Sequence, residues 1–342
     1  MNAENGYVLL PQPIEEEAHD LFRKRGIRTV TAKDTKLETI NPLLGQARAV
    51  VLRTGIQFTR ELVQKGSRLL TISRTGAGVD NVDVQAATDH GVIVTSSVGV
   101  NTASVVEHAL ALLLALAKQL PLMDREVRQG NFGIRYKNLP RDLKNKRLGV
   151  VGFGKIGAAF ADLCHRALRM EVIAYDPYID EAAKAKTASW AEFVSLDELF
   201  SSADAVSVHI PLTPETKGIV DLGRLKLMKP TSFLINTSRG GVINETDLVS
   251  ALEAKLLAGA GLDVFEKEPP EKKSPLLAME NVILTPHSAA LTEECVLEMA
   301  VKAVERVLDL LDGYIPECVQ NPVVLNQEKW RGLRRRGALP LQ

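Results

Sequence analysis

The sequence predicts an α/β protein built as two doubly wound parallel-sheet domains. Three observations carry this. Short apolar runs of strand length alternate with helix-period stretches along most of the chain. One strand, glycine turn, helix, second strand and terminal acid follow in order over residues 147–176. The length of 342 residues suits two cores of ordinary size better than one.

Taken in order, residues 7–10 (YVLL) read as a strand and 14–25 as a helix ending at Gly26, with further strands at 49–52, 69–73 and 92–95. This is a small parallel domain, and ligands of such sheets gather beyond the carboxyl ends of the strands. Arg53 directly follows AVVL and Arg74 directly follows LLTIS. Each is either a surface arginine in a salt bridge or a planar fork for an acidic substrate group. After Arg74, in TGAGVDNVD, Gly76 and Gly78 allow unusual backbone angles and Asp80 can cap the helix that runs to His90. Free amides in that turn suit a carboxylate. The loop 96–101 then leads to a helix over about 103–118, too apolar to be anything but buried. Residues 129–145 are polar and turn-rich, so an irregular surface segment is expected there.

Residues 147–176, RLGVVGFGKIGAAFADLCHRALRMEVIAYD, form the stretch around which the rest is arranged. Leu148, Val150 and Val151 lead into Gly152, Gly154 and Gly157, and Ile156, Phe160, Leu163 and Ala167 then recur with helical spacing. Gly152 suits a tight turn, Gly154 lets backbone approach a pyrophosphate, and Gly157 lets the helix lie close to the strand. Asp176 follows Gly157 by 19 residues (176 − 157), where a carboxylate can accept from a ribose diol and repel a 2′-phosphate. The cofactor expected is therefore NAD. A glycine triplet alone also marks ordinary turns; here strand, helix and acid accompany it.

Beyond Asp176, residues 189–200, 223–228 and 244–256 read as helices, and 205–210, 232–235, 260–264 and 282–284 as strands, making a sheet of six. A last helical pattern at 292–311 follows directly and is expected to return the chain to the first domain. The expected division is residues 1–104 and 292–328 for the substrate domain and 105–291 for the dinucleotide domain. The remainder, 329–342 with RGLRRRG, is a basic solvated tail.

Lys+Arg 42 balances Asp+Glu 42, so nothing in the overall charge attracts nucleic acid. The apolar run 109–117 is far short of the ~20 residues that cross a bilayer, so no membrane partner is expected. No signal peptide is expected either, because Glu4 and a strand open the chain without a basic region and a long apolar core. Cys164, Cys295 and Cys318 are odd in number and widely spaced, which suits a reducing cytosol. No histidine pair has metal-ligand spacing, and no metal is expected.

Three polar residues stand at strand ends of the dinucleotide domain. Arg239 follows FLINTS, Glu268 follows GLDVFEK and His287 follows NVILTP. Singly, each reads as a salt-bridge arginine, a loop acid and a loop histidine. Together they supply what reduction of a 2-keto acid requires, namely a guanidinium for the substrate carboxylate and an imidazole to protonate the alkoxide. Glu268 beside the imidazole would favour its charged form. His209, in AVSVHIP, reads as a structural or cofactor-contact residue, while His19, His90, His108 and His165 read as packing or surface residues.

The motifs VVGFGKIG with YDP, HIPLTPET, LINTSRGGVINE, GLDVFEKEP and TPHSAALT resemble, in order and spacing, the D-isomer-specific 2-hydroxyacid dehydrogenase family. The resemblance runs from about Tyr7 to Pro322. It implies a flavodoxin-like substrate domain with an inserted Rossmann NAD-binding domain, and a homodimer formed mainly through the latter. It further implies that Arg239 binds substrate, that His287 is the acid/base, and that Glu268 is its partner. Cofactor contacts follow at Gly152, Gly154, Lys155, Ile156, Gly157, Asp176, His209, Ile210, Pro211, Thr213, Thr237, Ser238, Asp263 and Ser288, with Ala77 and Thr102 near the nicotinamide or its phosphates. RTGAGVDNVDVQAATDHG is most similar to the phosphoglycerate dehydrogenase branch, which implies substrate contacts at Arg53, Arg74, Gly76, Ala77 and Gly78. SSVGVNTASVVEH is more similar to hydroxypyruvate reductases. The expected substrate is 3-phospho-D-glycerate, with hydroxypyruvate, glyoxylate and D-lactate as alternatives, and a non-catalytic NAD(H) sensor as the reading from another class.

Overall fold

The computed structural model describes residues 6–336. The chain forms two compact units: one runs to Asn101 and resumes at Leu291, and the other is Thr102–Ala290.

Unit 1 contains β1 (Tyr7–Leu10), α1 (Glu16–Lys24), β2 (Thr29–Thr31), α2 (Leu37–Leu44), β3 (Ala47–Leu52), α3 (Arg60–Lys65), β4 (Thr71–Arg74), α4 (Val84–Asp89) and β5 (Ile93–Thr95). Its five strands are all parallel, in the order β2-β1-β3-β4-β5, which is a doubly wound sheet. Successive strand residues face opposite sides. Leu9, Val50, Leu52 and Ile72 pack with Ile40, Leu44, Leu62 and Ala86 of α2 to α4, while Val8, Leu10, Ala49 and Val51 pack with Ala18 and Phe22 of α1. The latter face is completed by Ala300, Ala303, Val304 and Val307 of the helix that returns at Glu293–Leu311.

Two expectations about this unit are corrected. Asp83, not Asp80, caps α4, its carboxylate accepting from Ala86 N–H at 2.7 Å. Val82 N–H donates to Val79 O and Phe58 N–H to Asn81 O, so residues 79–82 are held as a turn and the helix starts later. The basic stretch expected to be a solvated tail is part of the unit as far as Arg336. Trp330 is buried with Ile93, Leu310 and Val324, its Nε1 donates to Gly91 O at 3.0 Å, and the Arg334 guanidinium lies over Tyr314. An aromatic anchor outweighs the charge around it. Residues 337–342 lie outside the described residues.

Unit 2 contains α5 (Thr102–Ala117), α6 (Leu120–Arg128), β6 (Arg147–Val151), α7 (Lys155–Leu168), β7 (Glu171–Tyr175), α8 (Glu181–Thr187), β8 (Ala191–Phe193), α9 (Leu196–Ser202) and β9 (Ala205–Val208). It continues through α10 (Leu222–Leu227), β10 (Phe233–Asn236), α11 (Glu245–Glu253), β11 (Gly259–Leu262) and β12 (Val282–Leu284), after which Glu293–Leu311 is α12. The sheet runs β12-β11-β10-β9-β6-β7-β8 and is parallel throughout, with seven strands where six were expected. The extra strand, β8, falls in 189–200, which the periodicity assigns to helix. Three residues pair with β7, and Trp190 and Phe193 pack on Phe153, so tertiary contact overrides local pattern and α9 begins only at Leu196. Part of the expected irregular segment, Phe132–Tyr136, is a short 3-10 helix, preceded by α6, which buries none of its residues. Among the described residues no single helix is long and apolar enough to cross a membrane.

Candidate active site

The glycine turn after β6 is shaped by close approach. Gly152 sits at φ +90°, and a Cβ there would lie 2.6 Å from both His209 O and Ile210 Cγ2. A methyl on Gly157 would overlap the carbonyl oxygen of Gly152, so only glycine lets α7 start directly against the turn. Gly154, by contrast, faces open space, with no described atom within 4 Å of where its Cβ would stand. It is the N-cap of the 14-residue α7, and among the described residues no side chain caps that helix, so first-turn amides are left for an anion. Lys155 and Ile156 open the helix.

Asp176 directly follows β7. Its Oδ2 accepts from Phe153 N–H at 2.8 Å and its Oδ1 from Tyr178 N–H at 2.9 Å, which ties the acid to the glycine turn. His209 shares a 2.8 Å hydrogen bond between Nε2 and Ser207 Oγ and packs on Phe160. Desolvation pushes its imidazole down to about 4, so at neutral pH it brings no charge to a phosphate. Pro211 is exposed, and Thr213 is bonded within its own turn to Thr216. At the end of β10, Thr237 Oγ1 is buried and finds no hydrogen-bond partner among the described residues. Open space over helix amides, an anchored carboxylate and an orphaned hydroxyl fit a dinucleotide.

The three residues singled out for chemistry come from the loops after β10, β11 and β12. Asn236 shapes the first loop, its Nδ2 donating to Arg239 O at 2.9 Å and its Oδ1 accepting from Ser238 N–H at 3.0 Å. A methyl on Gly240 would overlap the Phe265 carbonyl, so glycine alone lets this loop lie on the one after β11. That contact brings Arg239 into the field of Glu268. Glu268 Oε1 accepts from Phe265 N–H at 3.1 Å, and Oε2 lies 2.7 Å from His287 Nδ1. Desolvation pushes the Glu268 carboxyl up, but the bonds from His287 and Phe265 and the charges of His287 and Arg239 together hold it below the usual carboxylate range. An ionised carboxylate only accepts, so His287 Nδ1 carries the hydrogen and Nε2 is left to exchange a proton.

His287 has φ +51°, a left-handed conformation rare for a side-chain residue. The turn is held by Asp263, which is fully buried at the end of β11. His287 N–H donates to Asp263 O at 2.7 Å, while the carboxylate accepts from Thr285 Oγ1 at 2.7 Å, Ser288 N–H at 2.8 Å and Ala289 N–H at 2.9 Å. The Asp263 carboxylate is thus engaged by the turn that carries His287. His108, read from sequence as packing or surface, places Nε2 2.9 Å from Thr285 Oγ1. Its partner lies 177 residues along the chain, and no local pattern signals it.

In unit 1, Arg74 is buried, with Nε donating to Asn81 Oδ1 at 2.8 Å and a terminal nitrogen 3.3 Å from Thr54 Oγ1. A Cβ on Gly76 would lie 2.8 Å from the guanidinium, so glycine makes room for it. Ala77 and Gly78 follow, half-buried, in the same turn. Arg53 donates to Glu15 Oε1 at 2.8 Å and to Pro13 O at 3.2 Å, as in the plainer salt-bridge reading.

The family model described as D-isomer specific 2-hydroxyacid dehydrogenase, NAD binding domain, matches residues 110–289. The chain belongs to this family. Membership agrees with the fold class expected from sequence and makes unit 2 its NAD-binding domain. D-3-phosphoglycerate dehydrogenase of Archaeoglobus fulgidus is 38% identical over 306 residues, 90% of this chain and 57% of that protein. The chain spans only about half the length of the phosphoglycerate dehydrogenases it matches, between 51% and 60% in four of them. Hydroxypyruvate reductase of Thermotoga maritima is 34% identical over 88% of this chain and 96% of its own length. The crystal structure of the TT0316 protein from Thermus thermophilus has a TM-score of 0.84 and 32% identity, covering 92% of this chain and 99% of that one.

Proposed function

We propose that this protein is an NAD-dependent D-2-hydroxyacid dehydrogenase that interconverts 3-phospho-D-glycerate and 3-phosphohydroxypyruvate. The observation that carries the reading is the 2.7 Å pair of His287 and Glu268 with Arg239 alongside. NAD supplies the hydride acceptor when bound. In oxidation, His287 Nε2 takes the proton of the substrate C2 hydroxyl as the C2–H bond breaks and the carbonyl forms; in reduction it returns that proton to the oxygen. Arg239 orients the substrate carboxylate through its planar fork, and Glu268 keeps Nδ1 protonated so that Nε2 faces the reaction.

The glycine turn with Lys155 and Ile156 receives the pyrophosphate and Asp176 the adenosine ribose. His209, Ile210, Pro211 and Thr213 line the cofactor's path, with Ala77, Thr102, Thr237, Ser238, Asp263 and Ser288 toward the nicotinamide. Arg74 and the turn 76–78 read the distal group of the substrate. Exposed Leu120, Val127, Phe132, Tyr136 and Leu139 supply an apolar surface for a homodimer through unit 2; a monomer in sedimentation would remove that assignment. Three free thiols suit a cytosolic enzyme.

One observation favours a second substrate. Glu15 beside Arg53 opposes a phosphate and suits reduction of unphosphorylated hydroxypyruvate. The deciding experiment sets phosphohydroxypyruvate, hydroxypyruvate, glyoxylate and pyruvate side by side with NADH and NADPH, with His287→Gln as control. Turnover of phosphohydroxypyruvate with NADH, lost in the control while NADH binding persists, is expected. Preference for hydroxypyruvate would install the second reading. NADH binding without turnover of any acid would make the protein a sensor.

A further inference from the structure

His108 stands outside the three-residue site, and the motif resemblance gives it no role. We propose that His108 is a positioning residue, acting through Thr285 and Asp263 to hold the turn that carries His287. The proposal rests on the reading of His287 as the acid/base.

Hydrogen counting fixes the direction of the bonds. Thr285 Oγ1 lies 2.7 Å from Asp263 Oδ1 and 2.9 Å from His108 Nε2. A threonine hydroxyl has one hydrogen to donate, and an ionised carboxylate can only accept. The hydroxyl therefore donates to Asp263, and what it receives from the imidazole must be an N–H at Nε2. The relay runs from His108 Nε2–H to Thr285 Oγ–H to Asp263 Oδ1. It is the same whether the ring is neutral or charged, because Nε2 carries hydrogen in both forms.

The relay ends on the group that shapes the catalytic turn. Asp263 Oδ1 also accepts from Ser288 N–H, and Oδ2 from Ala289 N–H. With Thr285, these donors come from residues on both sides of His287, and His287 N–H itself donates to Asp263 O. The turn closes around one buried carboxylate, and it carries His287 at φ +51°, a conformation that persists only where its surroundings impose it. His108 sets a basic side chain against that carboxylate, with Nε2 3.6 Å from Oδ1. Its ring is mostly covered, at 22% exposure, and it stands on α5, a 16-residue helix packed beneath β10 and β11. Anchoring the turn to a rigid helix limits how far the imidazole can wander from Glu268.

The test uses the full chain labelled with nitrogen-15 histidine, in variants His108→Leu, His108→Gln and Thr285→Val. In the unmutated protein the His108 signal should be that of a ring protonated at Nε2. His108→Leu should shift and broaden the His287 ring signals and lower kcat about tenfold, with KM for the keto acid within about twofold. His108→Gln, whose amide can place an N–H near the same point, should restore both. Thr285→Val should match His108→Leu, and the double variant should be no worse than either single one. A bare Nε2 in the unmutated ring, unchanged His287 signals in His108→Leu, additive losses, or no rescue by His108→Gln would each overturn the proposal. If the unmutated protein turns over no 2-keto acid, the enzymatic reading fails while the ring signals still decide the positioning.

Discussion

Replacing Glu268 by glutamine keeps a hydrogen-bond acceptor beside His287 and removes the charge, which isolates the electrostatic part of the pair. The two side chains are 36% and 40% exposed, so the attraction is screened by water and the bulk dielectric is the proper limit. At 2.7 Å between Oε2 and Nδ1 this is 332/(80 × 2.7), about 1.5 kcal/mol. At 1.36 kcal/mol per decade, Glu268→Gln should lower the single-turnover rate of keto-acid reduction about tenfold at pH 7. Glu268→Ala also loses the acceptor, worth about 1 kcal/mol more, and should lower it roughly fiftyfold. The pH dependence has a definite sign. The native carboxyl is held below its usual range, so as pH falls it stays charged past the point where an ordinary glutamate protonates. Its contribution is present above the unfolded value and is lost only as pH falls through the lower folded one. The gap between wild type and glutamine variant should therefore be open at pH 7 and close as pH falls into acid. An unaltered rate in Glu268→Gln at pH 7, or a gap that persists undiminished into acid, would refute the reasoning.

The glycine turn and the first unit offer further tests. Gly152→Ala must move its Cβ about 0.8 Å (3.4 − 2.6) to reach ordinary contact, from a strained φ, and should lower unfolding stability by about 2–4 kcal/mol in denaturant melts. Gly154→Ala meets no described protein atom, so it should leave the melt unchanged and weaken NADH binding by about tenfold or more in a fluorescence titration. Equal melts for the two variants would contradict the packing argument. Arg74→Ala should raise KM for phosphohydroxypyruvate at least about tenfold more than for hydroxypyruvate, and Glu15→Gln, which releases Arg53, should improve the phosphorylated substrate several-fold. Parallel changes for both acids would remove phosphate recognition.

What can be read from the sequence alone is what local chemistry determines. The turn at 152–157 is legible because Gly152 and Gly157 answer packing demands that other residues cannot meet, while Gly154 leaves room for a ligand. Arg239, Glu268 and His287 can be singled out because each follows an apolar run, and in parallel sheets the carboxyl ends of strands gather on one edge. The features that escape depend on partners far along the chain. β8 is three residues held by its neighbour strand, and the 329–336 stretch is anchored by Trp330 against Gly91. The link of His108 to Thr285 leaves no trace in periodicity. Arg53 marks the opposite limit: its place at a strand end is visible, yet the acid that occupies it, Glu15, is not.

Because α12 completes the inner face of a sheet whose strands are made long before, synthesis order and assembly order diverge. Val8, Leu10, Ala49 and Val51 emerge from the ribosome early with α1, but the α12 residues that complete their cover follow only after Thr102–Ala290, 189 residues (290 − 102 + 1) later. At ~5–20 residues per second that is a wait of roughly 10–40 s with a greasy surface uncovered. The nascent amino-terminal segment is accordingly a client for a holding chaperone, while the intervening unit can finish on its own. Stalled chains ending before residue 293 should be clipped by protease within the first hundred residues and become resistant once residue 311 is free of the exit tunnel.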